Sequence, residues 1–201
     1  MLEYTLISSS TGDYHEKKSS FHALAQVVSS VEQVKSILLT QKTIFQSANH
    51  FCYAYRMKRD QRLDEYSSDS GEPLGSAGKP ILNALKRANL INVAIVVSRY
   101  FGGKKLGISG LIDAYGAVAK SAIDSANLKL WLETKRLIIT YLYELDGVIN
   151  SILKKNQVDV IRKEFEKEVK IQLDIYVEIA EKLIKNIKNI SSGIAKVSII
   201  D

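Results

Sequence analysis

Two glycine-rich stretches hold most of the residues in this chain that are suited to chemistry. The first runs Asp69-Ser70-Gly71-Glu72-Pro73-Leu74-Gly75-Ser76-Ala77-Gly78-Lys79-Pro80. The second runs Arg99-Tyr100-Phe101-Gly102-Gly103-Lys104-Lys105-Leu106-Gly107-Ile108-Ser109-Gly110. Each combines several glycines with at least one cation and leads straight into a predicted helix. Glycine lets backbone approach a ligand closely. A helix start supplies unpaired N–H groups and the positive end of the helix dipole. Those parts together suit an anion such as phosphate. On this reading the anion- or RNA-binding surface comprises Gly71, Gly75, Gly78 and Lys79, with Arg99, Tyr100, Gly102, Gly103, Lys104, Lys105, Gly107 and Gly110. The competing reading is that the same glycines build tight turns. The second stretch is not a P-loop, because Ile108 stands where the phosphate-binding lysine belongs. No GxGxxG follows the predicted strand Val93–Ser98, which argues against a dinucleotide site.

Other reactive side chains read less sharply. Asp69 and Glu72, with His50, form the alternative catalytic set, an acid/base group for a small phosphorylated or acidic substrate. Set against it, Asp69 caps a turn and Glu72 pairs with a basic neighbour, and no catalytic set is assigned. Cys52 would need a base to act as a nucleophile, and His50 lies two residues away on the same strand face. A lone cysteine in an aromatic strand is otherwise a small core residue. His15, His22 and His50 have no metal-ligand spacing and there is no CxxC, so neither metal nor cofactor is expected. Tyr53, Tyr55, Tyr100 and Phe101 would stack on bases if exposed.

The charge pattern bears on partners. The chain of 201 residues carries 28 basic and 22 acidic side chains, a net charge of +6. Residues 1–130 hold 16 basic and 11 acidic side chains, so the excess is concentrated there. Between Glu72 and Asp113 there is no acidic residue, while Lys79, Lys86, Arg87, Arg99, Lys104 and Lys105 all fall in that interval. A local positive field invites phosphate or acidic partners, although modest charge also simply solvates a surface. The apolar runs are too short to span a bilayer, and no secretory signal opens the chain. With one cysteine, an internal disulfide is impossible. A cytoplasmic location with no membrane contact is expected.

These residues need elements to hold them. Eight of the eleven glycines fall between Gly71 and Gly116, and after Trp131 the text turns to Ile, Leu, Lys and Glu. A boundary near 128–135 follows, giving domains of residues 1–130 and 131–201. In the first, Phe21–Val27 alternates as a strand. Ser30 caps a helix with Gln33 as its capping-box partner. Phe51–Met57 is strand-like and pairs with Arg62–Ser68 across the polar turn Lys58–Gln61. Ser76–Ala88 forms a helix with Pro80 in its first turn, Val93–Ser98 a buried strand, and Ser109–Ala126 a long helix. The second part reads as strand Lys135–Tyr143, helix Gly147–Asn156, strands Val158–Phe165 and Val169–Tyr176, helix Glu178–Ile190 and strand Ala195–Ile200, with a solvated hairpin at Arg162–Lys170. That βαββαβ order is ferredoxin-like, and the chain as a whole is α+β.

The long motifs carry a resemblance. GEPLGSAGKPIL and RYFGGKKLGISGLIDAYG, flanked by KSSF (Lys18–Phe21) and HFCYAYR (His50–Arg56), are similar to the signature of the YigZ/IMPACT family over roughly residues 15–127. The resemblance implies a first domain like the second domain of a small-subunit ribosomal protein and like domain four of the translocating elongation factor. It implies a second domain like domain five of that factor. It further implies RNA or the ribosome as partner, or a translation-factor partner, a link to translation regulation, and no secure enzymatic activity. The sequence departs from the family pattern at several places, Ile108 and Ser109 among them. Ser70 replaces a second aspartate, Phe51 an asparagine, Ser20 a basic residue, and Asp113 an arginine. The last reverses a charge close to the predicted start of the long helix.

Overall fold

The computed structural model describes residues 2–59 and 62–200 and divides the chain into two compact units, Met1–Trp131 and Leu132–Asp201. The first unit contains β1 (Tyr4–Leu6), β2 (Ser10–Glu16), β3 (Ser19–Val27), α1 (Val31–Ile44), β4 (His50–Arg59), β5 (Arg62–Ser68), α2 (Gly78–Arg87), β6 (Val93–Tyr100), α3 (Gly107–Asp124) and β7 (Leu128–Leu130). Five strands form one antiparallel sheet in the order β2-β3-β6-β4-β5, while β1 and β7 pair separately. The tip of the turn expected at Lys58–Gln61 lies at 60–61, outside the described residues.

The central strand β6 is apolar from Val93 to Val97 because both of its faces are covered. Val93, Ile95 and Val97 face a core built with Ile81 and Leu85 of α2 and Leu111, Tyr115, Val118 and Ala122 of α3. Ala94 and Val96 face a smaller core with Val34 and Ile37 of α1. Alternate side chains on a strand point to opposite faces, so a continuous β-branched run is what a strand between two helical layers requires. Helix α1 starts where its cap predicts. Ser30 Oγ accepts from the Gln33 amide at 3.3 Å, and Gln33 Oε1 in turn accepts from the Ser29 amide at 2.7 Å.

Strand β2 is absent from the sequence reading because STGDYHE is a polar edge strand with no apolar run. It matters nonetheless, since it holds the far end of α3. Ser10 Oγ donates to the Ala122 carbonyl at 2.7 Å, and Ser125 Oγ donates to the Thr11 carbonyl at 2.7 Å. Gly12 makes this contact possible, because a Cβ there would sit 2.3 Å from the Ala122 nitrogen.

The second unit contains β8 (Thr134–Tyr141), α4 (Asp146–Lys155), β9 (Val160–Phe165), β10 (Val169–Tyr176), α5 (Val177–Ile190) and β11 (Lys196–Ile200). Its antiparallel sheet runs β11-β8-β10-β9, the ferredoxin-like arrangement that the βαββαβ order predicts. Leu137, Ile139, Tyr141, Ile171 and Leu173 line one face of this sheet and pack with Ile149 and Leu153 of α4 and Leu183 and Ile187 of α5. Helix α5 ends at Ile190, and just beyond it Gly193 takes φ +82° while its amide donates to the Lys188 carbonyl at 2.8 Å. No helix among the described residues is long and apolar enough to cross a membrane.

Because a methyl group at position 12 meets backbone rather than a movable side chain, Gly12→Ala should lower stability by about 1–3 kcal/mol. Urea denaturation of the full chain checks this.

Candidate functional site

The two glycine-rich stretches meet at a buried polar network. β4 and β6 are paired, with His50 opposite Arg99 and Cys52 opposite Val97. The first stretch follows β5, loops over this end of the sheet and enters α2; the second follows β6 and enters α3. Glu72 reaches inward, and its side chain is only 4% exposed. Arg99, 5% exposed, donates from Nη1 to Glu72 Oε1 at 2.5 Å. The Tyr115 hydroxyl of α3 donates to the same oxygen at 2.8 Å, and His50 Nε2 stands 3.9 Å away. The Arg99 guanidinium also lies over the rings of Phe21 at 5.3 Å and Phe101 at 5.7 Å. Burial, together with the neighbouring Cys52 and Glu72, holds the Tyr115 hydroxyl well above the ordinary phenol range, so it stays a donor.

Asp69 organises the turn beside this network. Its Oδ2 accepts from the Gly75 amide at 2.7 Å, and its Oδ1 accepts from the Ala77 and Gly78 amides, both at 2.9 Å. Burial alone would raise its carboxyl. The three amide donors and the nearby Lys79 charge outweigh that and hold it below the usual carboxylate range.

These contacts decide which sequence-predicted residues can meet an anion. Gly75 and Gly78 do present amides, but those amides already hold the chain's own Asp69 carboxylate. Arg99, expected to contact phosphate, is instead buried and neutralised by Glu72, because its strand position points it into the core beneath α3. Tyr100 is partly buried, edge-on to the rings of His22 and Phe45. Gly71 packs by the His50 ring. Lys79 is exposed and lines a groove between α2 and α3. Lys104 and Lys105 are exposed in the loop before α3, with Gly103 beside them. Gly107 opens α3, and Gly110 lies in its first turn.

Helix α3 begins two residues earlier than the Ser109 predicted, so Asp113 falls beyond its first turn. That turn contains no acidic residue, and no side chain caps it. Asp113 lines the α2–α3 groove instead. The acidic side chain at this position therefore acts on the groove rather than on the helix start.

The catalytic alternatives are poorly served by this geometry. Asp69 is saturated by amides, and Glu72 is held by Arg99 and Tyr115. The Cys52 thiol lies 3.0 Å from the Asp69 carbonyl and 3.2 Å from the Tyr115 hydroxyl, while His50 Nδ1 turns to the Ser70 carbonyl at 3.1 Å. Burial pushes the thiol up to about 12, so it remains protonated and a poor nucleophile. Among the described residues, no three His, Cys, Asp or Glu side chains gather as a metal site. Of the aromatic candidates, Tyr55 is buried and Tyr53 lies against Tyr66, whereas Phe101 is 45% exposed.

One basic pair escaped the charge reading. Lys17 and Lys18 form the tight turn between β2 and β3, at φ +44° and +68°, and both are exposed. A Cβ on Gly102 would fall 2.0 Å from the Lys18 carbonyl carbon, so only glycine allows the two loops to lie backbone against backbone. The Gly102 amide donates to Ser19 Oγ at 3.1 Å, which ties the loops together. Lys17–Lys18 and Lys104–Lys105 thus flank a single junction, although 86 positions separate Lys18 from Lys104 along the chain. The only sequence signal was the lysine opening the KSSF motif.

The model of the Impact N-terminal domain matches residues 17–123, a span that opens at this lysine pair and contains both glycine stretches. An IMPACT family member from Haemophilus influenzae is 30% identical over 195 residues, covering 96% of this chain and 95% of that protein. The chain belongs to the IMPACT family. A second member, YvyE of Bacillus subtilis, is 33% identical over 165 residues, covering 81% of this chain and 73% of that protein. A crystal structure of a hypothetical protein shares the fold over both units, with a TM-score of 0.73 at 24% identity, covering 100% of this chain and 98% of that one. Within the IMPACT segment, the buried network joins residues from GEP, HFC, RYFGG and AYG into one cluster.

Two outcomes follow. Removing one partner of a buried ion pair strands the other, so Glu72→Ala and Arg99→Ala should each cost about 3–5 kcal/mol. The double variant should cost less than the sum of the two, read by urea denaturation. Because its folded carboxyl is held low, Asp69 contributes stability that is complete above the unfolded carboxylate range. That contribution is lost as pH falls through the folded value. Asp69→Asn should therefore cost about 1–3 kcal/mol at neutral pH and flatten the acid limb of a stability–pH curve.

Proposed function

We propose that this IMPACT-family protein acts in the cytoplasm as a non-enzymatic, translation-linked factor that binds RNA, on or off the ribosome, through the junction of the β2–β3 turn and the loop before α3. The observation that carries the reading is the approach of Gly102 to Lys18, which brings two lysine pairs to one exposed junction. Phe101, half exposed beside them, offers a ring for stacking on an unpaired base. The first turn of α3, free of acidic side chains, adds its dipole end to the same side of the loop. The resemblance to elongation-factor and ribosomal-protein domains supports RNA as the source of the phosphate. The second unit is read as the counterpart of the elongation factor's domain five.

Lys17, Lys18, Lys104 and Lys105 would contact phosphate, whereas Arg99, Gly75 and Gly78 are already engaged within the chain. Lysine contacts to phosphate release counterions, so binding should weaken steeply with salt. Binding to structured RNA and to ribosomes, measured by fluorescence anisotropy and sedimentation over a salt series, tests it. Lys104→Ala/Lys105→Ala and Lys17→Ala/Lys18→Ala should each reduce the slope of log K against log salt by about 2. Lys79→Ala should leave it unchanged. Binding that is indifferent to salt, or unaltered by either loop pair, would refute the proposal.

A further inference from the structure

The outer side of the α2–α3 pair is open in a way that the RNA reading does not use. A groove of about 700 Å³ runs between the two helices on the side away from the sheet. Its floor is small and apolar, with Ala84 on α2 and Gly116 and Ala117 on α3. Ile112 and Ile123 rise along the α3 wall. They are eleven residues apart, which at 1.5 Å per residue is about 16 Å, or three helical turns. Leu74, next to the groove-lining Gly75, is 97% exposed and makes an apolar projection with no intrachain cover.

The charges on the two walls differ. On α2, Lys79 and Arg87 stand about 12 Å apart along the helix, and neither makes a salt bridge among the described residues. On α3, Lys120 pairs with Asp124, which leaves Asp113 as the wall charge with no salt bridge among the described residues. One wall is therefore basic and the other acidic, across a floor of small apolar residues. Small residues at a contact let helix axes approach to about 8 Å, the close end of the packing range.

We infer that this groove docks an amphipathic helix of a partner protein, with apolar residues recurring over three turns and acidic residues along the flank that meets Lys79 and Arg87. A helix suits the groove better than an extended strand, because neither wall offers an open sheet edge and the floor favours close backbone approach. Asp113 would meet a basic or neutral residue on the opposite flank. Asp113 thus sets partner polarity on the α3 wall.

A phage-displayed library of amphipathic helical peptides, panned against the full chain, tests this. Selected peptides should carry apolar residues at helical spacing with Asp or Glu on one flank. By anisotropy, they should bind the surface variant Lys79→Glu/Arg87→Glu at least about tenfold more weakly, a change of about 1.4 kcal/mol. They should also lose binding to Ala117→Trp, which fills the groove, with circular dichroism confirming that each variant folds. Failure to enrich any peptide would overturn the inference, as would enrichment without acidic residues or equal binding to the charge-reversed variant. Displacement of the peptide by structured RNA would assign the groove to nucleic acid and equally overturn it.

Discussion

Glu72 is buried against Arg99, and much of the first unit is arranged to permit it. Taking both charges out of water is expensive, and the cost is offset only when the geometry is close and the remaining lone pairs are used. Here a single carboxylate oxygen receives both the guanidinium and the Tyr115 hydroxyl. The partners arrive from three separate pieces of chain: the turn after β5, the end of β6, and the middle of α3. A pair of this kind fixes the register between the two glycine-rich stretches. It explains why both must be built as tight loops: each has to clear the sheet end within a few residues and start a helix over the same core.

The same requirement redistributes the cations. An acid-free interval containing six basic residues reads as one positive surface, yet the fold sends those residues to different places. Arg99 goes into the core to answer Glu72, and Lys86 pairs with Glu65. Lys79 and Arg87 go to the wall of the α2–α3 groove, and Lys104 and Lys105 to the exposed loop. What remains at the loop is reinforced from elsewhere, by the Lys17–Lys18 turn that Gly102 admits. Two surfaces of different chemistry result. One is a basic loop junction suited to phosphate, and the other is an apolar groove with walls of opposite charge.

Most of the elements were legible in advance because their signals are local. The Ser30–Gln33 capping box, the β-branched run of β6 and Pro80 in the first turn of α2 each rest on contacts within a few residues. The βαββαβ order of the second unit could likewise be read from periodicity. What escaped was β2, whose polar text hides an edge strand, and the short pair β1–β7. The starts of α2 and α3 also shifted by two residues in opposite directions. At α2, Asp69 caps amides from six to nine residues further along, a contact that no local window reveals.

From its residues alone, this chain determined the family and the α+β fold class, because long motifs and hydrophobic period are properties of neighbouring residues. It could not determine what the glycine-rich block faces. On paper Asp69 and Glu72 read either as an acid/base pair or as a turn cap and one half of an ion pair, and Arg99 reads as an anion ligand. Only tertiary structure decided that they satisfy one another and the local amides, because a buried charge must find its partner inside the fold. The same is true of Asp113, whose meaning turned on where α3 begins, and of Lys17 and Lys18, whose place beside Lys104 and Lys105 depends on a contact between backbones far apart in sequence.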